Sequence, residues 1–156
     1  MEIGGLPLHP LVIHGAIVLT PLAVLASIVF AVVPRWRWLS RWPAALLSLA
    51  AAGSVILAKY SGEALLRARP ELEPLVRVHE ERGELLMWFS IGFLVLVLAG
   101  AFTLSGTTPL PSGRGARDVT LPIADKVLPV LVVLAALVVL VLVILTGDAG
   151  ARAVWG

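Results

Sequence analysis

The stretch VLPVLVVLAALVVLVLVIL, from Val127 to Leu145, contains neither a charged nor a hydrogen-bonding side chain. An α-helix rises about 1.5 Å per residue, so as a helix this stretch is about 28 Å long, close to the hydrocarbon thickness of a bilayer. Pro129 falls in the first turn of the run, where proline is tolerated. The stretch therefore predicts a transmembrane α-helix.

Three further segments have the same character, and the only Asp, Glu, Lys or Arg in them is Lys59, at the end of the second. Hydrophobic residues make up 59% of the 156 residues and charged residues 14%. The mean hydropathy of +0.99 is too high for an ordinary soluble domain. We predict an all-α fold, a single integral membrane four-helix bundle over residues 1–156, with spans at 11–33, 42–59, 85–104 and 127–145.

The charged residues of the connections indicate an orientation. The connection between spans one and two has Arg35, Arg37 and Arg41 with no acid, and the connection between spans three and four has Arg114, Arg117 and Lys126. Positive loops stay in the cytoplasm, so we expect both termini on the extracytoplasmic side. The connection 59–84 argues against this orientation with five Lys or Arg, although six Glu accompany them.

Several classes of function lack the residues that they need. The chain has no cysteine, which excludes disulfides, thiolate-bound metals and covalent c-type haem within it. The net charge of +2 with no basic stripe gives nucleic-acid binding no support. Neither a nucleophile elbow, nor an HExxH motif, nor a phosphate-binding loop is present, so the sequence favours a chain that is not an enzyme by itself.

The two halves of the chain resemble each other. The segment 61–68, SGEALLRA, follows the second span, and 146–153, TGDAGARA, follows the fourth. The first helix of each half also carries a histidine near its start, His14 in one half and His79 in the other. This pattern predicts a two-helix unit repeated in parallel. Because the helices alternate in direction, the repeat places seven polar residues at one end of the bundle, namely His9, His14, Glu63, His79, Glu80, Glu84 and Asp148.

The histidines are the candidate ligands. His14 lies far enough into the first span to be below the interface, where a polar group calls for a partner. A haem iron or another metal, a hydrogen bond to a neighbouring helix, and proton handling all suit it. His79 falls on the apolar stripe of a helix that begins before the third span, with Gly83 one turn on. His9 precedes Pro10 at the helix start and points about 140° away from His14.

The acidic candidates are weaker. Glu63 and Asp148 could ligate a metal, but each also has a basic residue four positions away, Lys59 or Arg67 for the first and Arg152 for the second. The glycines Gly62 and Gly147 follow apolar runs, a position typical of a residue that ends a helix.

Three segments of the chain resemble a known family. These are LPLHPLVIH at 6–14, His79-Glu80, and TGDAGARAVWG at 146–156. They look like the uncharacterised bacterial family of small four-helix membrane proteins opening with Leu-Pro-Leu-His-Pro-x-x-x-His, some of which are linked to Rieske iron–sulfur proteins. The proline that usually follows the second histidine is replaced here by Gly15-Ala16, and many relatives carry His or Trp where Asp148 stands. The resemblance implies a multi-pass protein of a bacterial plasma membrane and favours b-type haem or quinone-linked electron transfer.

Three hypotheses follow. In the first, His14 and His79 approach each other and, with His9 nearby, bind a b-type haem or a metal near the extracytoplasmic face for electron transfer with a redox complex. In the second, the chain is a non-catalytic scaffold or accessory subunit of a larger membrane complex, with its histidines as buried hydrogen-bonding groups. The third, weaker hypothesis is a carrier of protons or small solutes.

Overall fold

The computed structural model describes residues 2–3, 6–118 and 121–155. Four long helices dominate it: α1 (Leu8–Val32), α2 (Arg37–Ala68), α3 (Glu73–Thr103) and α4 (Pro122–Trp155). Short 3-10 turns at Pro34–Trp36 and Pro70–Leu72 join α1 to α2 and α2 to α3, and a two-residue antiparallel pair, β1 (Glu2–Ile3) with β2 (Leu6–Pro7), precedes α1.

Each of the four helices is long and apolar enough to cross a membrane. Neighbours in the chain pack side by side, and α1 also packs against α4, so the helices form a closed square. In this arrangement α1 and α3 lie on one diagonal and run in the same direction. The predicted all-α membrane bundle is confirmed.

Of two predictions about where the helices begin and end, one is confirmed and one is wrong. The third helix begins at Glu73, well before the apolar run at 85–104, as its amphipathic pattern predicted. The prediction that Gly62 and Gly147 end helices is wrong, because α2 continues to Ala68 and α4 to Trp155. Glycine costs a helix about 1 kcal/mol relative to alanine, which packing against a neighbour can outweigh.

The same positions are buried in both halves. Buried residues of α1 recur in α3 exactly 70 positions later, at Ala16 and Leu86, Thr20 and Ser90, Ala23 and Phe93, Ser27 and Val97, and Ala31 and Ala101. Those of α2 recur in α4 88 positions later, at Ala44 and Val132, Ser48 and Ala136, Ala51 and Val139, and Val55 and Val143. The halves are therefore related by an approximate two-fold axis along the bundle, hereafter the repeat axis. In this register Gly62 corresponds to Gly150 and not to Gly147.

The far end of the bundle is held by buried arginines. Arg37 donates to the carbonyls of Phe30 (3.3 Å) and Ala31 (3.1 Å) at the end of α1 and to Ser105 (2.9 Å) after α3, and its Nη1 lies 3.3 Å from an Asp125 carboxylate oxygen. The last carbonyls of a helix have no partner within it and attract positive groups. The buried Arg41 donates to the carbonyl of Leu104 after α3 at 3.2 Å. Both arginines, which the sequence indicated only as loop charges, therefore join the two halves at this end.

Candidate histidine site at the N-terminal end of the bundle

His9 is fixed on α2 by its Nδ1 atom. Nδ1 lies 3.0 Å from the carbonyl oxygen of Ala58 and 3.1 Å from the hydroxyl oxygen of Ser61. A carbonyl only accepts hydrogen bonds, so Nδ1 carries the proton, and in the neutral ring Nε2 is left with a free lone pair. The ring lies over Gly62, where an added Cβ would come within 3.0 Å of Cε1.

His79 is held in the same way on α4. Its Nδ1 donates to the carbonyl of Thr146 at 2.9 Å, which again assigns the proton to Nδ1 and the lone pair to Nε2. A Cβ at Gly150 would come within 3.0 Å of this Nδ1. In each half, then, one carbonyl accepts a hydrogen bond from an imidazole, and the glycine four residues later packs against the same ring. The pair is Ala58 and Gly62 in the first half and Thr146 and Gly150 in the second.

The two rings meet each other. Their centroids are 6.4 Å apart, and the ring planes make an angle of 78°. Because the rings come from α1 and α3, which lie on the diagonal of the square, their contact falls on the repeat axis. Burial lowers the pKa of His9 below its ordinary value; the bond to the Ala58 carbonyl opposes this shift, and the neighbouring His79 adds to it. The neutral form of His9 is therefore favoured, and only that form has a free lone pair.

The structure brings together two of the three predicted histidines. His79 is half-buried and faces the bundle, as its apolar stripe indicated, and the ring packed beside it is that of His9. His14 lies more than one turn further along α1, and its side chain is exposed. The angle between His9 and His14 predicted that they point apart, but nothing in the apolar run of α1 indicated which of them faces the bundle.

The acidic candidates have basic partners. Glu63 accepts from Lys59 at 2.9 Å and pairs with Arg67 at 3.4 Å, and Asp148 pairs with Arg152 at 3.0 Å. These pairs were predicted from the spacing and are confirmed. Within 2–3, 6–118 and 121–155, no three His, Asp or Glu side chains lie close enough together to hold a metal ion.

Three features of the site were missed by the sequence analysis. They are the Ala58 and Thr146 carbonyls, the Ser61 hydroxyl, and the role of Gly150. The carbonyls leave no trace in the sequence. The glycines are visible in the sequence, but only some helical glycines mark a close neighbour: Gly62 and Gly150 do, whereas Gly53 and Gly147 do not.

These observations define a class: a four-helix membrane protein made of two parallel helical hairpins, with one histidine from each half meeting on the repeat axis. The comparison with protein families is in agreement. Residues 5–156 match the model of the family described as predicted membrane protein (DUF2231), and the chain belongs to that family. Neither a curated protein nor a solved structure matches the chain.

Proposed function

We propose that this protein is a membrane-embedded subunit whose His9 and His79 bind a metal centre through their Nε2 atoms and serve electron transfer. The observation that carries the proposal is that both Nδ1 atoms are bound to backbone carbonyls. Histidines that ligate metals almost always donate their other N–H to a carbonyl or carboxylate, which sets the tautomer and the ring orientation. Both rings of the pair have this arrangement.

The donor set favours the iron of a b-type haem over a bare ion. Two imidazoles are the only ligands that the described residues offer, since no third histidine or carboxylate joins them. A porphyrin supplies four further nitrogens to its iron, whereas a bare ion would need water or a second copy of the chain. The ring centroids are 6.4 Å apart, so His9 and His79 are close enough together to hold one metal between them. Bound iron would supply a one-electron redox couple.

A second candidate function rests on the same contacts. The Nδ1 bonds and the packing on Gly62 and Gly150 already hold each ring in place and attach α1 to α2 and α3 to α4. A non-catalytic accessory subunit of a larger membrane complex needs no more than this from its histidines. With the predicted orientation, the histidine end faces the extracytoplasmic side in either case.

The test is a spectrum of the purified protein. The chain is expressed in a haem-producing host, purified in detergent, and its absorption is recorded oxidised and reduced, with metal content measured on the same sample. The proposal predicts either a Soret band with a reduced α-band or a stoichiometric metal, and either signal falls at least tenfold in His9→Ala and in His79→Ala. A Soret band identifies haem, and a stoichiometric metal without a Soret band identifies a bare ion.

His14→Ala is the matched control, because it removes an exposed histidine of the same helix. It should keep the full signal. A colourless, metal-free protein that also fails to bind added haemin would contradict the proposal and favour the accessory subunit. So would a signal that depends on His14 and not on His9.

A further inference from the structure

Two hydroxyls inside the bundle have no hydrogen-bond partner among the described residues. They are Thr20 Oγ1 on α1 and Ser90 Oγ on α3, and their side chains are 1% and 3% exposed. An unpaired buried hydroxyl is destabilising, and nearly all such groups in proteins are bonded to protein or to water. These two therefore call for a partner that the described residues do not provide.

The two hydroxyls are equivalent under the repeat. Thr20 follows His9 by eleven residues, and Ser90 follows His79 by the same number. Eleven residues make just over three full turns, so each hydroxyl residue lies on the same face of its helix as the histidine. Because the histidines meet on the repeat axis, Thr20 and Ser90 face the same axis, about 16 Å deeper in the bundle.

Other hydroxyls of the helices have a hydrogen-bond partner within their own helix. Ser40, Thr103 and Thr146 each donate to the carbonyl four residues earlier, at 2.9, 2.7 and 2.7 Å. This is the usual bond of a serine or threonine within a helix. Thr20 and Ser90 do not make it, although the corresponding carbonyls of Ala16 and Leu86 lie in the same helices. Their hydroxyls are therefore available to a ligand.

We propose that Thr20 and Ser90 bind a water molecule on the repeat axis, near the middle of the membrane. The proposal does not depend on the metal site. Two neutral hydroxyls select a small neutral ligand that both donates and accepts hydrogen bonds, and they do not offer the charges that an ion requires. Buried waters bind to two to four such groups. The residues one turn before and after the two hydroxyls in their helices are also buried, Ala16 and Ala23 in α1 and Leu86 and Phe93 in α3.

Solid-state NMR of the labelled protein in lipid bilayers tests this directly. When magnetisation starts on water, it should reach the side-chain carbons of Thr20 and Ser90 at short mixing times, well before it reaches Ala23 and Phe93. In Thr20→Val, transfer to Ser90 should fall at least twofold, since one of the two hydroxyls is gone. Transfer to Thr20 and Ser90 as slow as that to Phe93 would overturn the proposal, and so would unchanged transfer to Ser90 in Thr20→Val.

A double-mutant cycle on thermal unfolding gives a second readout. Thr20→Val and Ser90→Ala should each lower Tm by about 2–4 °C, and the double variant should lower it no further, because both substitutions remove one shared ligand. Thr103→Val, which removes a hydroxyl with a bond inside its own helix, is the control for the loss of a hydroxyl alone. Single variants that raise Tm, with additive effects, would mean that the hydroxyls bind nothing.

Discussion

The two halves of the molecule hold their histidines with the same contacts but on different supports. His79 lies in the second turn of α3, with helix on both sides of it, whereas His9 is the second residue of α1. His9 has an additional partner, the hydroxyl of Ser61, where the second half has Ala149 at the equivalent position. The comparison indicates that a ring at a helix end needs a further hydrogen bond to reach the same fixed position as a ring within a helix.

The largest loss of stability should come from removing the arginine contacts that join the halves at the end of the bundle away from the histidines. Arg37→Met removes a buried guanidinium, so that Asp125 loses its cationic partner and three carbonyls lose their side-chain donor. Breaking a buried ion pair from one side costs about 3–5 kcal/mol. We expect thermal unfolding in detergent to shift down by at least about 6 °C. Arg35→Met, which removes an exposed arginine of the same connection, should shift it by less than about 2 °C.

The next largest loss of stability should come from substituting the glycines that pack against the histidine rings. Gly62→Ala and Gly150→Ala would each place a Cβ within 3.0 Å of an imidazole, and overpacking of this kind costs about 1–3 kcal/mol. Gly53→Ala and Gly147→Ala are matched controls in α2 and α4, since a Cβ there meets nothing within 4 Å. The controls should be neutral or stabilising by up to about 1 kcal/mol. Equal effects of Gly147→Ala and Gly150→Ala in chemical unfolding would contradict the repeat register given above.

A smaller effect is expected from pH. The pKa of His9 is lowered in the folded protein, so the unfolded chain takes up a proton more readily, and stability rises with pH in this window. Stability should be greatest above the ordinary imidazole pKa of about 6.5 and should fall as the pH drops below it. His9→Asn keeps a donor near the Ala58 carbonyl but does not titrate, and it should reduce this pH dependence. An unchanged profile of Tm against pH in His9→Asn would assign the effect to other groups.

The smallest effect should come from the hydroxyl that only the first half has. Ser61→Ala leaves the bond between His9 and Ala58 in place, so it should cost no more than about 1 kcal/mol. The reciprocal change, Ala149→Ser, supplies a hydroxyl at the equivalent position beside His79. If the additional bond matters only at a helix end, Ala149→Ser should leave the Tm within about 2 °C of the wild type. A larger rise in Tm would show that His79 lacks the same support.

The sequence predicted the helices well because the membrane leaves a simple signal. Long uncharged runs must be helical, since every backbone group in lipid needs a partner within the protein. It predicted the direction of His79 because the start of α3 has polar residues on the opposite face. It could not decide between His9 and His14, because residues of α1 that face lipid are as apolar as those that face the bundle.

The repeat was recognised, but in a register one turn away from the structural one. The sequence register was set by the similar residues at 61–68 and 146–153. The structural register is set by which positions are buried and by which glycine packs against a histidine ring. The buried arginines were read as loop charges because their carbonyl partners belong to helix ends that only the fold brings near. The orientation of the chain in the membrane stays a prediction.

The central claim is that His9 and His79 are held as matching rings with the proton on Nδ1 and the lone pair on Nε2. The most direct measurement is ¹⁵N NMR of the protein labelled at histidine, in bilayers at pH 8, with His14→Ala used to assign the third ring. Our account predicts that both His9 and His79 show the neutral form protonated at Nδ1. Either ring found protonated at Nε2, or a ring exchanging between both neutral forms, would contradict it.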